Sequence, residues 1–174
     1  NDMVLRFDKF TTKAQEAVQR CVSLATEKGN PQLEPLHLLA GLLAETDGIV
    51  HPVLNKIGAN QQQLDRIVQA ELGHLPRVSG GAEPQPTQAF VQVCQAAQRE
   101  ADTMKDDYVS TEHLLLALTK VDSNAKNVLK LNAITDRDLL SALRAVRGSA
   151  RVTDQEPEGK FQALDRYGID LVEK

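Results

Sequence analysis

Histidine occupies the same place in two copies of one pattern: Glu34-Pro35-Leu36-His37-Leu38-Leu39 and Ser110-Thr111-Glu112-His113-Leu114-Leu115. An imidazole can ligate a metal, move a proton, or hydrogen-bond backbone at a helix start. A metal needs further ligands, and no acid recurs beside the two rings, since Glu34 aligns with Ser110. A structural role in the first turn of a helix is the expectation for both. His51 and His74 stand alone near turns and carry no signal. The second set is acidic: Asp102, Asp106, Asp107 and Glu112, at the end of one helix and the start of the next. Two readings stand for it. Either Glu112 sits favourably near a helix N-terminus beside a solvated loop, or the acids rim a shallow groove that grips cationic or unfolded peptide. Cys21 and Cys94 fall on apolar stripes at different repeat positions, Cys21 aligning with Ala97 and Cys94 with Val18. They read as buried thiols of a reducing compartment, the alternative being a disulfide or a reactive cysteine.

No G-x-x-x-x-G-K-[ST] loop occurs, so this chain alone is expected neither to bind nor to hydrolyse a nucleotide. G-x-S-x-G, H-E-x-x-H and C-x-x-C are also missing. The expectation is a chain with no catalytic residues, no metal and no cofactor of its own.

The elements that carry these residues are helical and duplicated. Residues 11–43 lie on 87–119 at a constant offset of 76, matching at Thr11/Thr87, Gln19/Gln95, Ala25/Ala101, His37/His113, Leu38/Leu114, Leu39/Leu115 and Leu42/Leu118. One residue then drops out, and Val53-Leu54 falls on Val128-Leu129 and Leu64 on Leu139. A period this long exceeds the usual solenoid unit and points to a duplicated helical subdomain. Apolar residues at three- and four-residue steps predict helices over 12–28 and 88–104, capped by Thr11 and Thr87. The next helix starts at Pro35, where a missing N–H costs nothing, and Ser110 caps its counterpart. Both are apolar nearly all round and should lie centrally. Shorter helices are predicted at 49–57, 61–72, 123–131 and 135–147, with Asn60 and Thr135 or Asp136 as polar starts. Three prolines and three glycines in 73–86 predict a surface crossover rather than an element. The fold class is therefore all-α: eight helices in two four-helix repeats, about 11–72 and 87–147, related by a pseudo-two-fold.

Residues 148–159 are polar and aperiodic, a linker pattern whose coil dimension is roughly 20 Å. A short amphipathic helix is expected at 160–167, and the chain then stops as if cut from something longer. Asn1 and Asp2 before Met3 look like a cloning remnant, and no signal peptide is expected before the first helix. At 174 residues one domain can bury an adequate core without staples. With six aromatic residues among them, that core must be aliphatic. Twenty basic against 24 acidic residues, with no basic stripe, argue against nucleic acid. No apolar run approaches a membrane span. A cytoplasmic location follows from the thiols and the missing signals.

Arg6-Phe7-Asp8-Lys9-Phe10-Thr11-Thr12-Lys13-Ala14, with Glu34-Pro-Leu-His-Leu-Leu after it, resembles the N-terminal domain of Clp/AAA+ chaperones. The duplicated Clp repeat would cover 6–147. Val152-Thr-Asp-Gln-Glu-Pro-Glu-Gly-Lys-Phe-Gln-Ala-Leu-Asp-Arg-Tyr-Gly168-Ile-Asp-Leu resembles the stretch that joins this domain to the first ATPase module in ClpB-type disaggregases. Residues 148–174 would then be linker and the start of that module. The resemblance implies a hexameric machine, driven by ATP and Mg²⁺ in modules outside this chain, that works with an Hsp70-type system. It implies an N-domain, monomeric in isolation, that recruits unfolded or aggregated clients and passes them to the central pore. The family's substrate contacts fall on Thr11, Asp106 and Glu112 around a shallow apolar groove, with Tyr108 and Val109 as further candidates. An adaptor-docking domain of the protease-partnered ClpA or ClpC kind is the alternative, and a stand-alone Clp-repeat protein a third; the linker text argues against both.

Overall fold

The computed structural model describes residues 7–155. The helix expected at 160–167 lies outside them. Among the described residues a 3-10 turn at Phe7–Lys9 precedes eight α-helices. These are α1 (Thr12–Glu27), α2 (Pro35–Leu43), α3 (Val50–Ile57), α4 (Gln61–Leu72), α5 (Gln88–Thr103), α6 (Thr111–Lys120), α7 (Asn124–Leu131) and α8 (Asp136–Arg147).

Local chemistry sets the starts. Side-chain oxygens of Thr11, Asn60, Thr87 and Thr135 accept from the backbone N–H groups of Ala14, Gln63, Phe90 and Asp138. Each satisfies a donor that has no partner inside its helix. α2 and α6 begin with capping boxes in which histidine replaces the usual acid or amide: Glu34 N–H donates to His37 Nδ1 at 2.9 Å, and Ser110 N–H to His113 Nδ1 at 2.8 Å. The turns repeat as well. Gly29 and Gly58 adopt positive φ of 71° and 85°, and their counterparts Lys105 and Ala133 hold 61° and 60°.

The copies interleave. α1 packs on α2 and α5 on α6 within each copy, whereas α3 packs on α8 and α4 on α7 between copies, with α2 against α6 at the centre. Exchanging the copies swaps α1–α2 with α5–α6 and α3–α8 with α4–α7 and maps α2–α6 onto itself, which is the pseudo-two-fold. All nine residues of α2 and the first eight of α6 are buried, as their all-round apolar character requires. Each fully buried leucine there contributes about 1.5–3 kcal/mol.

The crossover contains an element after all. Gln85–Pro86 (β2) pairs in parallel with Gln32–Leu33 (β1), and the symmetry-related pair is the bridge between Phe10 and Val109. Pro86 lacks an N–H to donate, and in a two-stranded ribbon that position can face away from the ladder.

Candidate functional site

The N-terminus of α1, the bridge between Phe10 and Val109, and the turn leading to α6 converge on one side of the molecule. Thr11 N–H donates to Val109 O at 2.9 Å, and Val109 N–H donates to Lys9 O at 2.8 Å. Thr11, Asp106, Val109 and Glu112 are all buried, and Tyr108 is half-buried under Lys9, whose Nζ lies 5.8 Å from the ring centroid. The fold thus brings the five predicted residues together from segments that are far apart in the chain. It does not leave them on an open rim.

Asp106 is the hub. Its carboxylate accepts a forked pair from Arg147, Nη2 to Oδ1 at 2.7 Å and Nη1 to Oδ2 at 3.0 Å. His113 Nε2–H adds a bond to Oδ2 at 2.7 Å, and the Val152 N–H one to Oδ1 at 2.9 Å. His113 Nδ1 accepts from backbone, so its proton sits on Nε2 and the ring is a neutral donor. Burial alone would raise the Asp106 carboxyl. The bonds from His113, Arg147 and the Val152 amide, with the Arg147 charge, overcome that and hold it well below the usual carboxylate range. Glu112 accepts from the Ser110 hydroxyl through Oε1. Its Oε2 lies 3.3 Å from Arg147 Nη1 without hydrogen-bond alignment. Two acids therefore share one guanidinium, and Glu112 Oε2 is left as a buried acceptor without a hydrogen bond.

Glu112 does lie in the first turn of α6, as one reading of the acidic cluster expected, but the exposure that both readings assumed needs correction. Asp102 and Asp107 are exposed, but Asp106 and Glu112 form a buried, ion-paired network, neither a solvated loop nor an acidic rim. Arg147 escaped notice because a basic residue in the last turn of a helix reads as a solvated cation. The usable signal lay in the repeat: Asn30 aligns with Asp106, and Leu72 stands where copy two has Arg147.

The segment after α8 is not free coil in its described part. Arg147 Nη2 donates to Ala150 O at 2.8 Å, Asp107 N–H to Val152 O at 2.7 Å, and Thr12 N–H to Gln155 O at 2.8 Å. Val152 is fully buried. Thr12 occupies the first helical position of α1, so a tail carbonyl satisfies a donor no helix can pair internally.

Elsewhere the cysteines lie in the core. Burial pushes the Cys94 thiol up to about 12, and burial with the neighbouring Cys94 raises Cys21 well above the ordinary thiol range. Among the described residues no cluster of three or more His, Cys, Asp or Glu can hold a metal, and no helix is long and apolar enough to cross a membrane.

A duplicated body of eight helices, with α2 and α6 opened by matching histidine capping boxes, defines the N-terminal domain class of Clp proteins. Residues 9–132 match the Clp repeat (R) N-terminal domain, and the chain belongs to that family. It is similar to the chaperone protein ClpB of Rhodopirellula baltica, 42% identical over 171 residues, which cover 98% of this chain and 19% of that protein. The ClpB of Propionibacterium freudenreichii is 43% identical over 169 residues, 96% of this chain and 20% of that protein. The chain thus spans about a fifth of the length of these relatives. Among solved structures, the Hsp104 N-terminal domain from Candida albicans superposes with a TM-score of 0.77 at 26% identity, over 86% of this chain and 99% of that one. A ClpV N-domain solved in complex with a VipB peptide shares the fold, with a TM-score of 0.65 at 19% identity, over 79% of this chain and 86% of that one.

Proposed function

We propose that this chain is the substrate-recruiting N-domain of a ClpB-type disaggregase. It holds unfolded or aggregated polypeptide at the cleft framed by Thr11, Asp106, Tyr108, Val109 and Glu112, and releases it toward the pore of a hexamer. One observation carries the reading: the groups at Asp106, Asp107 and Thr12 hold a stretch of this chain's own backbone, through the Val152 N–H and the Val152 and Gln155 carbonyls. Recognition of backbone amides and carbonyls is nearly indifferent to sequence, as a binder of many clients needs. A ClpV N-domain of the same fold was solved with a peptide, so the fold is compatible with that task. Weak single-site binding suits release, and six tethered copies can raise avidity about 10²–10⁴-fold.

The whole machine supplies the rest of the proposal. ATP and Mg²⁺ belong to modules outside this chain, which itself has no enzymatic role, no nucleic-acid partner and no membrane contact. The Hsp70-type system and the hexamer act on the full-length cytoplasmic protein, and the isolated domain is monomeric.

The test is an NMR titration of the labelled chain with reduced, carboxymethylated α-lactalbumin, without ATP. Shifts should cluster at Thr12, Asp106, Asp107, Tyr108 and Glu112. Tyr108→Ala, altering a half-buried rim ring, should weaken binding several-fold with an unchanged melt. Thr11→Ala should mainly cost about 1 kcal/mol of stability, because its hydroxyl caps α1. No shifts at high client concentration would sink the reading and favour adaptor docking in the ClpA or ClpC manner.

A further inference from the structure

Three groups of the proposed site, the Asp106 carboxylate and the Asp107 and Thr12 N–H groups, are bonded by this chain's own tail. Asp106 Oδ1 takes the Val152 N–H, the Asp107 N–H takes the Val152 carbonyl, and the Thr12 N–H takes the Gln155 carbonyl. The Gln155 amide side chain reaches Asp8 O and Phe10 O at 3.4 Å each. The one side chain buried by this arrangement is aliphatic. Val152 is fully covered, yet it stands apart from the contiguous core that the helices share.

The first copy shows what a permanent version of this contact looks like. There the segment after α4 returns over Asn30, with Asn30 Nδ2–H donating to Pro76 O at 3.0 Å and Val78 N–H to Gly29 O at 2.8 Å. That segment is tied at both ends, by α4 and by β2 leading into α5, and its Val78 is 53% exposed. In the second copy the returning segment follows α8, and its valine is the buried group.

We propose that residues 150–155 are an internal competitor for the client cleft: tail and client take the same hydrogen bonds at Asp106, Asp107 and Thr12, so a client binds as the tail leaves. This rests on the client-binding reading above. Three backbone bonds and one buried valine must offset the ordering of six residues, and these terms are of similar size, so the docked tail exchanges readily. Apparent client affinity is then the intrinsic affinity scaled by the tail-free fraction. Loading a client frees the very segment that leads toward the rest of the machine, which couples occupancy of the cleft to the linker.

The experiment uses the 174-residue chain and two variants, Val152→Asp, which places a carboxylate against Asp106, and Val152→Pro, which removes the N–H that Asp106 accepts. Binding of fluorescein-labelled, reduced and carboxymethylated α-lactalbumin is read by anisotropy, and folding by circular dichroism melts. Both variants should bind more tightly, about tenfold if the tail is free roughly a tenth of the time. A synthetic peptide spanning residues 149–156, added in trans, should raise the variants' Kd again. In the unaltered chain, saturating client should move the Val152 and Gln155 amide signals to random-coil positions, a readout that no misfolded variant can spoil. Variants that bind no tighter, together with Val152 signals that stay put while Asp106 and Asp107 shift, overturn the competitor and leave client recruitment standing. Absence of binding by parent and variants alike overturns both.

Discussion

In the first copy His37 donates from Nε2 to Asn30 Oδ1 at 2.8 Å; in the second His113 donates from Nε2 to Asp106 Oδ2 at 2.7 Å. The two rings accept equivalent backbone N–H groups and occupy equivalent turns, so the difference reduces to an amide against a carboxylate. Asn30 is self-sufficient, with its NH₂ spent on the Pro76 carbonyl. Asp106 is not, and it enlists Arg147 from α8, where the first copy has only Leu72, along with the Val152 amide. The same cap that closes an uncharged turn in one copy therefore anchors a buried charged network in the other. The frame is common to both copies, and the pair Asp106 and Arg147, where the first copy has Asn30 and Leu72, makes the difference.

The comparison breaks most visibly at the hub. Asp106→Asn gives the second copy the residue of the first but leaves the buried guanidinium only Glu112, 3.3 Å away without hydrogen-bond alignment, as a charged partner, and should cost about 3–5 kcal/mol. Asn30→Ala leaves only the His37 N–H and the Pro76 carbonyl without partners and should cost about 1–3 kcal/mol. Urea unfolding of the two variants measures the difference. Equal losses would mean that the ion pair does not distinguish the copies.

Acid should separate them next. Burial, aided by the Lys28 charge and only partly opposed by the Glu34 amide, lowers His37 to about 4. Its folded value lies below the unfolded one of about 6.5, so its stabilising share is complete above that pH and is lost as pH falls toward 4. Asp106 is depressed below the usual carboxylate range, so its share persists through this window and fades only in stronger acid. Stability should drop by roughly 2 kcal/mol between pH 7 and pH 4.5 on account of the first copy. An NMR titration of the His37 ring assigns the loss. A ring that titrates near 6.5 would remove it from the first copy.

The smallest test concerns the turns. Ala133 holds a left-handed φ that its counterpart Gly58 adopts without a Cβ penalty. Ala133→Gly should therefore stabilise by about 0.5–1 kcal/mol, relief of strain outweighing the added freedom of the unfolded chain. Thermal melts against Gly58→Ala, expected to shift the other way, sharpen the equivalence of the two turns.

What the amino-acid sequence determined by itself is everything that depends on neighbours within a few residues. Thr11, Asn60, Thr87 and Thr135 cap because a short polar side chain reaches the third residue on. The stripes of α1 and α5, and the all-round apolar α2 and α6, are periodic patterns with one helical solution. Asp106 and Glu112 were legible as an acidic set and Thr11 as a helix cap, whereas the grouping of the five candidate site residues, Tyr108 and Val109 included, was legible only through family resemblance. Only the tertiary structure decided that Asp106 and Glu112 are buried, that Arg147 joins Asp106 across 41 residues, and that the Val152 N–H returns across 46 to bond the same carboxylate. Local spacing carries no record of such contacts. They arise because interleaving brings α8 and the segment after it against the start of α6, and a charge taken out of water there must find its partner wherever the fold has put one.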